Sequence, residues 1–170
     1  MIDQALINTF NLQSRDFAVR WKNMVRKANQ LKHYNDMDDE ALVDANTLLY
    51  PALARVLDRG LDRSLIGDFF VKLGKTRFME GFPLSEVIYA INLTQKVAIE
   101  YVMTEFAPEN TMRMYQSMGA LTRISEFFLL SIFYLTKGFL EETYTKLSRN
   151  GEVSEELLKK YFKDDFFFKQ

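Results

Sequence analysis

His33 is the one histidine of the chain, and the sequence contains no cysteine. A single imidazole cannot build a His-rich zinc site, and without thiolates there is neither a Cys-ligated metal centre nor a cysteine nucleophile. His33 lies in the polar stretch LKHYND, whereas an axial haem ligand would have to project from a helix towards the macrocycle. We therefore expect an exposed loop residue at this position, and the sequence implies no cofactor and no metal.

The acidic stretch NDMDDE, residues 35–40, has the composition of a cation site but not the spacing. A calcium loop needs glycine at its sixth position and glutamate at its twelfth. Counted from Asp36, these positions are Ala41 and Thr47. Capping of the following helix by Asp38 or Asp39 explains the cluster better, because a carboxylate accepts hydrogen bonds from the free N–H groups of a first turn.

A second partial motif, Gly74-Lys75-Thr76, resembles the end of a phosphate-binding loop. That motif requires a glycine five residues before Gly74, and residue 69 is phenylalanine, so the match fails. No Ser-His-Asp combination can be assembled beyond His33. We predict that the protein is not an enzyme.

Composition limits the remaining classes of protein. The 170 residues are 48% hydrophobic and include 15 Phe but only 3 Pro and 7 Gly, which favours long helices around a full core. Because 22 basic residues face 23 acidic ones, the chain lacks the positive charge expected of a nucleic-acid-binding protein. The longest apolar run, residues 127–135, is far shorter than the roughly 20 residues of a membrane span. We expect a cytoplasmic protein without a membrane-spanning segment.

Apolar residues recur at intervals of three and four along nearly the whole chain, which predicts an all-α fold of six to eight helices. Pro51 is expected to kink a helix of about 20 residues that ends near Gly60. Gly74 and Gly67, seven residues apart, are candidates for a close approach by a neighbouring backbone. A long C-terminal helix covers residues 112–147, as one piece or as two.

The helix after the Gly81–Leu84 turn is predicted to start at Ser85 as its N-cap and to be buried along one face. The turn and its surroundings also contain the residues of a recognisable sequence pattern. These are Leu73-Gly74, Arg77, Gly81-Phe82-Pro83-Leu84, Glu86-Val87, Ala90 and Leu93. With Trp21 and Tyr34, this pattern resembles the N-terminal sensor domain of the RsbT co-antagonist family, which also precedes many bacterial histidine kinases.

The resemblance implies an all-helical module in bacterial signal transduction and stress response, without catalytic residues. It also implies a globin-like fold without haem, or a related helical bundle. We expect a sensor domain over residues 1–150 and a short C-terminal helix with a tail over residues 151–170. Members of the family usually continue into a further domain, so the chain is either a free-standing sensor or part of a longer protein.

Two modes of action remain open. In the first, the apolar seam of the long helix packs against a second copy, which makes the protein a homodimer that signals by protein contact. The residues predicted to form this interface are Leu121, Ile124, Phe128 and Leu135.

In the second mode, an apolar pocket between the two long helices binds a lipid-like or aromatic small molecule. Arg77 or Arg123 is then the anchor for a carboxylate. The aromatic side chains predicted to line the pocket are Phe82, Phe127 and Phe128.

Overall fold

The computed structural model describes residues 2–106 and 110–162. Its helices are α1 (Gln4–Leu12), α2 (Ser14–Lys27), α3 (Lys32–Asn35), α4 (Asp39–Thr47), α5 (Leu49–Arg59), α6 (Arg63–Met79), α7 (Leu84–Thr104), α8 (Thr111–Asn150) and α9 (Glu155–Tyr161). Since α3 is a single turn, eight helices of seven residues or more remain, and the described ranges contain no strand. The predicted all-α class with a long helix near the C-terminus is confirmed.

The chain forms two compact units. The first unit comprises Met1–Asp62 and Tyr89–Leu129, and the second unit comprises Arg63–Ile88 and Leu130–Gln170. Helices α7 and α8 therefore each contribute residues to both units. The division predicted at residue 150 stays a prediction.

Four aromatic rings form the centre of the first unit. Phe17 of α2 lies 5.0 Å from Phe10 of α1, 5.1 Å from Tyr50 of α5 and 5.0 Å from Tyr101 of α7, measured between ring centroids. These contacts join four helices, and edge-on or offset geometry adds to the free energy of burying the rings. Burial raises the pKa of Tyr50, whose hydroxyl donates to the carbonyl oxygen of Phe17 at 3.4 Å.

Trp21 is buried in the first unit, as the pattern of α2 predicts. Its indole Nε1 donates to the carbonyl oxygen of Ala90 at 2.8 Å, and the hydroxyl of Thr94 donates to the same oxygen at 3.2 Å. Thr94 in turn accepts from Nδ2 of Asn46 at 2.8 Å, while Oδ1 of Asn46 has no hydrogen-bond partner among the described residues. Side chains from α2 and α4 are thereby bonded to one turn of α7.

The segment around Pro51 differs from the prediction of one kinked helix. The structure has two helices, α4 ending at Thr47 and α5 beginning at Leu49, with Leu48 between them. Pro51 lies in the first turn of α5, where proline is tolerated because an N–H there needs no helical acceptor. The carbonyl of Thr47 has no N–H four residues onward, so the helix divides rather than bends.

Two other local expectations are corrected, and one alternative that the sequence left open is decided. The stretch 31–37, predicted as a loop, contains the helical turn α3 with exposed His33. Helix α7 begins before Ser85, because the amide of Val87 already donates to the carbonyl of Pro83 at 3.2 Å. Helix α8 is one continuous helix, and the side chain of Asn110 caps it by accepting from the amide of Arg113 at 2.9 Å.

In the second unit, α6 packs against α8 through glycine. A Cβ atom on Gly74 would lie 2.1 Å from the carbonyl oxygen of Leu135, so the predicted close approach at Gly74 is confirmed. Near this contact Phe78 meets Phe139 edge-on at 5.2 Å. Lys75 pairs with Glu141 at 3.0 Å, and Glu141 is only 4% exposed.

Helix α8 is the one helix in the described ranges that is long and apolar enough to cross a membrane by length and composition. One third of its most apolar 18-residue window is buried. Length and composition alone are weak evidence for a membrane-spanning helix, since a core helix of a soluble protein passes the same test. The absence of a membrane-spanning segment stays a prediction.

Candidate functional site

The Gly81-Phe82-Pro83 turn closes α6 with a Schellman motif. The amide of Phe82 donates to the carbonyl of Arg77 at 3.0 Å, and the amide of Gly81 donates to the carbonyl of Phe78 at 3.0 Å. Gly81 has a φ of +82°, the left-handed conformation that this motif requires and that glycine adopts without a steric cost. The marked residues of this turn therefore have a local structural role in joining α6 to α7.

Arg77 completes the same turn. Its guanidinium lies 4.8 Å from the centre of the Phe82 ring and donates to Oε2 of Glu80 at 2.6 Å. The Arg77 side chain is 11% exposed, so a desolvated cation is stabilised by an aromatic face and a carboxylate. Both predicted ligand residues of the second unit, Arg77 and Phe82, thus contact each other.

Arg123, the other predicted anchor, lies in the first unit. Its Nη1 donates to the carbonyl oxygen of Leu57 at 2.7 Å, which satisfies one of the free carbonyl groups in the last turn of α5. Arg123 also lines an open cleft of about 510 Å³. The other residues of this cleft are Ile2, Asp3, Gln4, Ile7, Leu57, Asp58 and Gln116.

Two of the three aromatic residues predicted to line an apolar pocket, Phe127 and Phe128, lie inside the first unit. Phe127 and Phe128 are each 1% exposed, and their rings meet edge-on at 5.0 Å. Neither lines the cleft beside Arg123. The predicted ligand residues therefore lie at three separate places. Arg123 lines the cleft and the two Phe residues are buried elsewhere in the first unit, while Arg77 and Phe82 lie in the second unit.

The residues predicted for a dimer interface are also mostly internal. Ile124 and Phe128 are buried in the first unit, and Leu135 is buried in the second unit. Leu121 is half-buried. An interface formed by this seam stays a prediction.

The sequence predicts core filling for the closely spaced Met112, Met114 and Met118, with an adaptable surface as the alternative. The structure corrects this, because all three belong to a set of large side chains of α8 that stay exposed. In the first unit these are Met112, Met114, Tyr115, Met118 and Leu129. Each of these residues exposes 54–70% of its surface to solvent. Spacings of three residues from Met112 to Tyr115 and from Tyr115 to Met118 were the available signal. These spacings do not by themselves reveal an exposed side, because α8 is apolar on nearly all sides.

Four of the five basic side chains of α2 pair with acidic side chains of the same unit. Arg15 pairs with Glu40 at 2.5 Å, and Arg26 pairs with Asp39 at 2.8 Å. Lys22 also pairs with Asp39, and Arg20 pairs with Glu105. Residues that could mark a nucleic-acid surface are therefore engaged with carboxylates.

No group of three or more His, Cys, Asp or Glu side chains that could hold a metal ion occurs within residues 2–106 and 110–162. The acidic cluster has other partners. Asp38 caps α4 by accepting from the amide of Ala41 at 2.8 Å, as predicted, and Asp39 pairs with α2.

These observations define an all-α domain in which the Gly81-Phe82-Pro83 turn has the structural role of joining α6 to α7. The model of the RsbT co-antagonist protein rsbRD N-terminal domain matches residues 16–142, and the chain belongs to this family. The resemblance predicted from the Arg77–Leu93 pattern is confirmed, and with it a regulatory domain of signal transduction and stress response. Comparison with curated proteins and with solved structures gave no match.

Proposed function

We propose that the protein is a non-catalytic signalling module that acts in the bacterial cytoplasm through protein contacts, as a homodimer. Family membership supports a regulatory role. The observation that carries the dimer is the exposed face of α8 in the first unit, formed by Met112, Tyr115, Met118 and Leu129.

This exposed face is a strip along one side of a helix. At about 100° per residue, Tyr115, Met118 and Leu129 fall within roughly 60° of one another around the helix axis. Side chains of this size that stay 54–70% exposed are typical of a contact surface, and methionine adapts its shape to a partner. A second copy related by a two-fold axis presents the same strip, and a two-fold interface joins the same patch on both copies.

Around the axis of α8, the strip lies about 120–180° from the buried residue Ile124 and about 80–140° from the buried residue Phe128. We therefore propose the dimer interface on the exposed side, with half-buried Leu121 nearer the strip than the other predicted interface residues.

Sedimentation equilibrium over a range of protein concentrations tests this proposal. The wild-type chain is expected to be dimeric at high micromolar concentration, and Leu129→Glu or Tyr115→Lys should shift it to monomer. Leu12→Lys is the matched control, because Leu12 is 84% exposed on α1 of the same unit but lies outside the strip. A wild-type chain that stays monomeric throughout would contradict the dimer.

Small-molecule binding is the second candidate function. The cleft of about 510 Å³ beside Arg123 favours it, because ligand sites commonly have volumes of about 300–1,000 Å³. Native mass spectrometry of freshly purified protein tests it directly. A reproducible additional mass supports a ligand, whether lipid-like, aromatic or of another class, and bare protein at every preparation counts against one.

A further inference from the structure

Thr122 lies at the middle of the exposed strip on α8. Tyr115 precedes it by seven residues and Leu129 follows it by seven, which is close to two helical turns in each direction. Met118 precedes it by four residues, and Glu126 follows it by four. All five residues are exposed, and at about 100° per residue they fall within roughly 80° around the axis of α8. The strip therefore has equivalent positions on either side of Thr122.

Glu126 carries the one charge among these five residues. It is exposed and forms no ion pair within the described ranges. The guanidinium of Arg123, three residues earlier, is directed to the carbonyl of Leu57 at the end of α5. A second copy that covers the strip must accommodate the Glu126 carboxylate, so this residue decides which orientation of two copies is favourable.

A parallel pair of α8 helices brings Glu126 close to its own copy. In a parallel two-fold pair every residue lies at the same height as its counterpart. Helix axes packed about 8–10 Å apart then put the two Glu126 Cβ atoms roughly 6 Å from each other. Two carboxylates at that separation repel, and apolar neighbours such as Met118 and Leu129 lower the dielectric between them. The parallel orientation is therefore disfavoured.

An antiparallel pair with its two-fold axis at Thr122 avoids this repulsion. Residues equally distant from Thr122 along the chain then lie at the same height on the two copies. Met118 of each copy faces Glu126 of the other, and Tyr115 of each copy faces Leu129 of the other. The two Glu126 carboxylates are separated by about 12 Å along the helix axis, and each can reach solvent at the edge of the contact.

We infer that two copies of this chain pair through α8 in antiparallel orientation, with the two-fold axis at Thr122. The inference rests on the proposed dimer and adds the orientation of its two copies. It has a consequence for signalling by protein contact. The C-terminal ends of the two α8 helices point in opposite directions, so proteins bound at these ends are held apart rather than side by side.

Cysteine cross-linking tests the orientation, because the chain has no cysteine of its own. Thr122→Cys, Tyr115→Cys and Leu129→Cys are each oxidised mildly alone, and the last two also as an equimolar mixture. Thr122→Cys should cross-link to itself, and the mixture should yield a product with the mass of the mixed dimer. Leu129→Cys alone should give at most about a tenth of that yield, because antiparallel packing holds its two thiols about 21 Å apart.

Opposite charges at residue 118 give an independent test by sedimentation equilibrium. In the antiparallel pair Met118→Lys faces Glu126 of the other copy, so its dimer should dissociate with a Kd at least about tenfold lower than that of Met118→Glu. In a parallel pair both variants repel their own copy and weaken the dimer alike. Met114→Lys and Met114→Glu are the matched controls, since Met114 is also 54% exposed on α8 but lies about 40° outside the strip. Their Kd values should differ by less than about threefold.

The outcomes separate the orientation from the dimer itself. A dimeric chain in which Leu129→Cys cross-links to itself as readily as the mixture would overturn the antiparallel orientation and leave the dimer standing. Equal weakening by Met118→Lys and Met118→Glu, or no cross-link at any of the three positions in a dimeric chain, would do the same. A wild-type chain that is monomeric at every concentration would contradict the dimer and the inference together.

Discussion

Gly74 of α6 and Gly138 of α8 each face the backbone of the other's helix. A Cβ atom added to Gly74 would lie 2.1 Å from the carbonyl oxygen of Leu135, and one added to Gly138 would lie 2.1 Å from that of Val71. Both distances are far below van der Waals contact, and the obstructing atoms belong to backbone that cannot rotate away. The two helices of the second unit keep this separation because neither carries a side chain at the contact.

Gly138→Ala should therefore destabilise the protein. Alanine favours a helix by about 1 kcal/mol over glycine, but separating the two backbones is expected to outweigh this and leave a net loss of about 1–3 kcal/mol. Urea unfolding followed by circular dichroism measures the difference.

Gly119→Ala is the matched control on the same helix, because nothing lies within 4 Å of the added Cβ atom. It should raise the free energy of unfolding by about 0.5–1 kcal/mol. Equal gains in both variants would show that α6 and α8 do not pack as described.

The buried pair Asn46 and Thr94 predicts non-additive effects on stability. Thr94→Val leaves Nδ2 of Asn46 without its partner at 2.8 Å, and an unpaired buried donor costs about 1–3 kcal/mol. In the Asn46→Leu background the same substitution should cost about 1 kcal/mol less, because no donor is then left unpaired. A double-mutant cycle by chemical denaturation measures this coupling.

Thr104→Val provides the comparison, since Thr104 is an exposed residue of the same helix whose hydroxyl donates only to the carbonyl of Glu100. Its effect should stay within about 0.5 kcal/mol. Additive losses at positions 46 and 94 would argue against the buried hydrogen bond.

Ion pairs on α2 predict acid sensitivity. Hydrogen bonds from Arg26 and then Lys22 lower the pKa of Asp39 below its ordinary value of 3.8, and a hydrogen bond from Arg20 lowers the pKa of Glu105 below 4.5. A depressed pKa in the folded state contributes stability above the unfolded-state pKa and loses it as the pH falls through the folded-state pKa. The free energy of unfolding should therefore decrease as the pH is lowered below about 4.5.

Asp39→Asn and Glu105→Gln should each flatten that decrease, because the substituted side chains cannot be protonated. Urea midpoints between pH 7 and pH 3 measure the slope. Asp36→Asn is the control, being an exposed carboxylate of the α3 turn with no ion pair in the described part of the chain. Slopes equal to wild type in both test variants would contradict the pairing.

The turn after α6 predicts a graded effect at Gly81. With φ at +82° and nothing within 4 Å of an added Cβ atom, the cost of a side chain is conformational rather than steric. Gly81→Ala should lower stability by about 1–2 kcal/mol, and Gly81→Asn by less, because asparagine tolerates this conformation better. Thermal unfolding of the two variants gives the order. The reverse order would indicate that the turn is not held in a Schellman motif.

Helix positions were largely predictable because the spacing of apolar residues reports which side of a helix is buried. Gly60, Gly81 and Gly151 all follow helix ends with positive φ, as the breaker pattern suggests. Helix α7 starts earlier than predicted because Pro83, not Ser85, supplies the first helical acceptor. Which of two neighbouring residues begins a helix depends on backbone geometry that residue types alone do not determine.

The candidate site was less predictable, for a different reason. Periodicity identified Phe127 and Phe128 as apolar members of α8, but it does not distinguish a side chain that fills the chain's own core from one that meets a ligand or a second copy. Arg123 was predicted, as an alternative to Arg77, to anchor a carboxylate, and this stays a prediction. That it faces the end of α5 and a cleft with Asp58 depends on contacts 65 or more residues distant in sequence.

The arrangement of the two units has a consequence for synthesis. Each unit is made from two separate segments, and Arg63–Ile88 of the second unit interrupts the first unit. The first unit therefore lacks part of its core until the chain has been translated to about Leu129, and the second requires residues still further on. Neither unit can finish folding before most of the chain has left the ribosome, and no single truncation separates them.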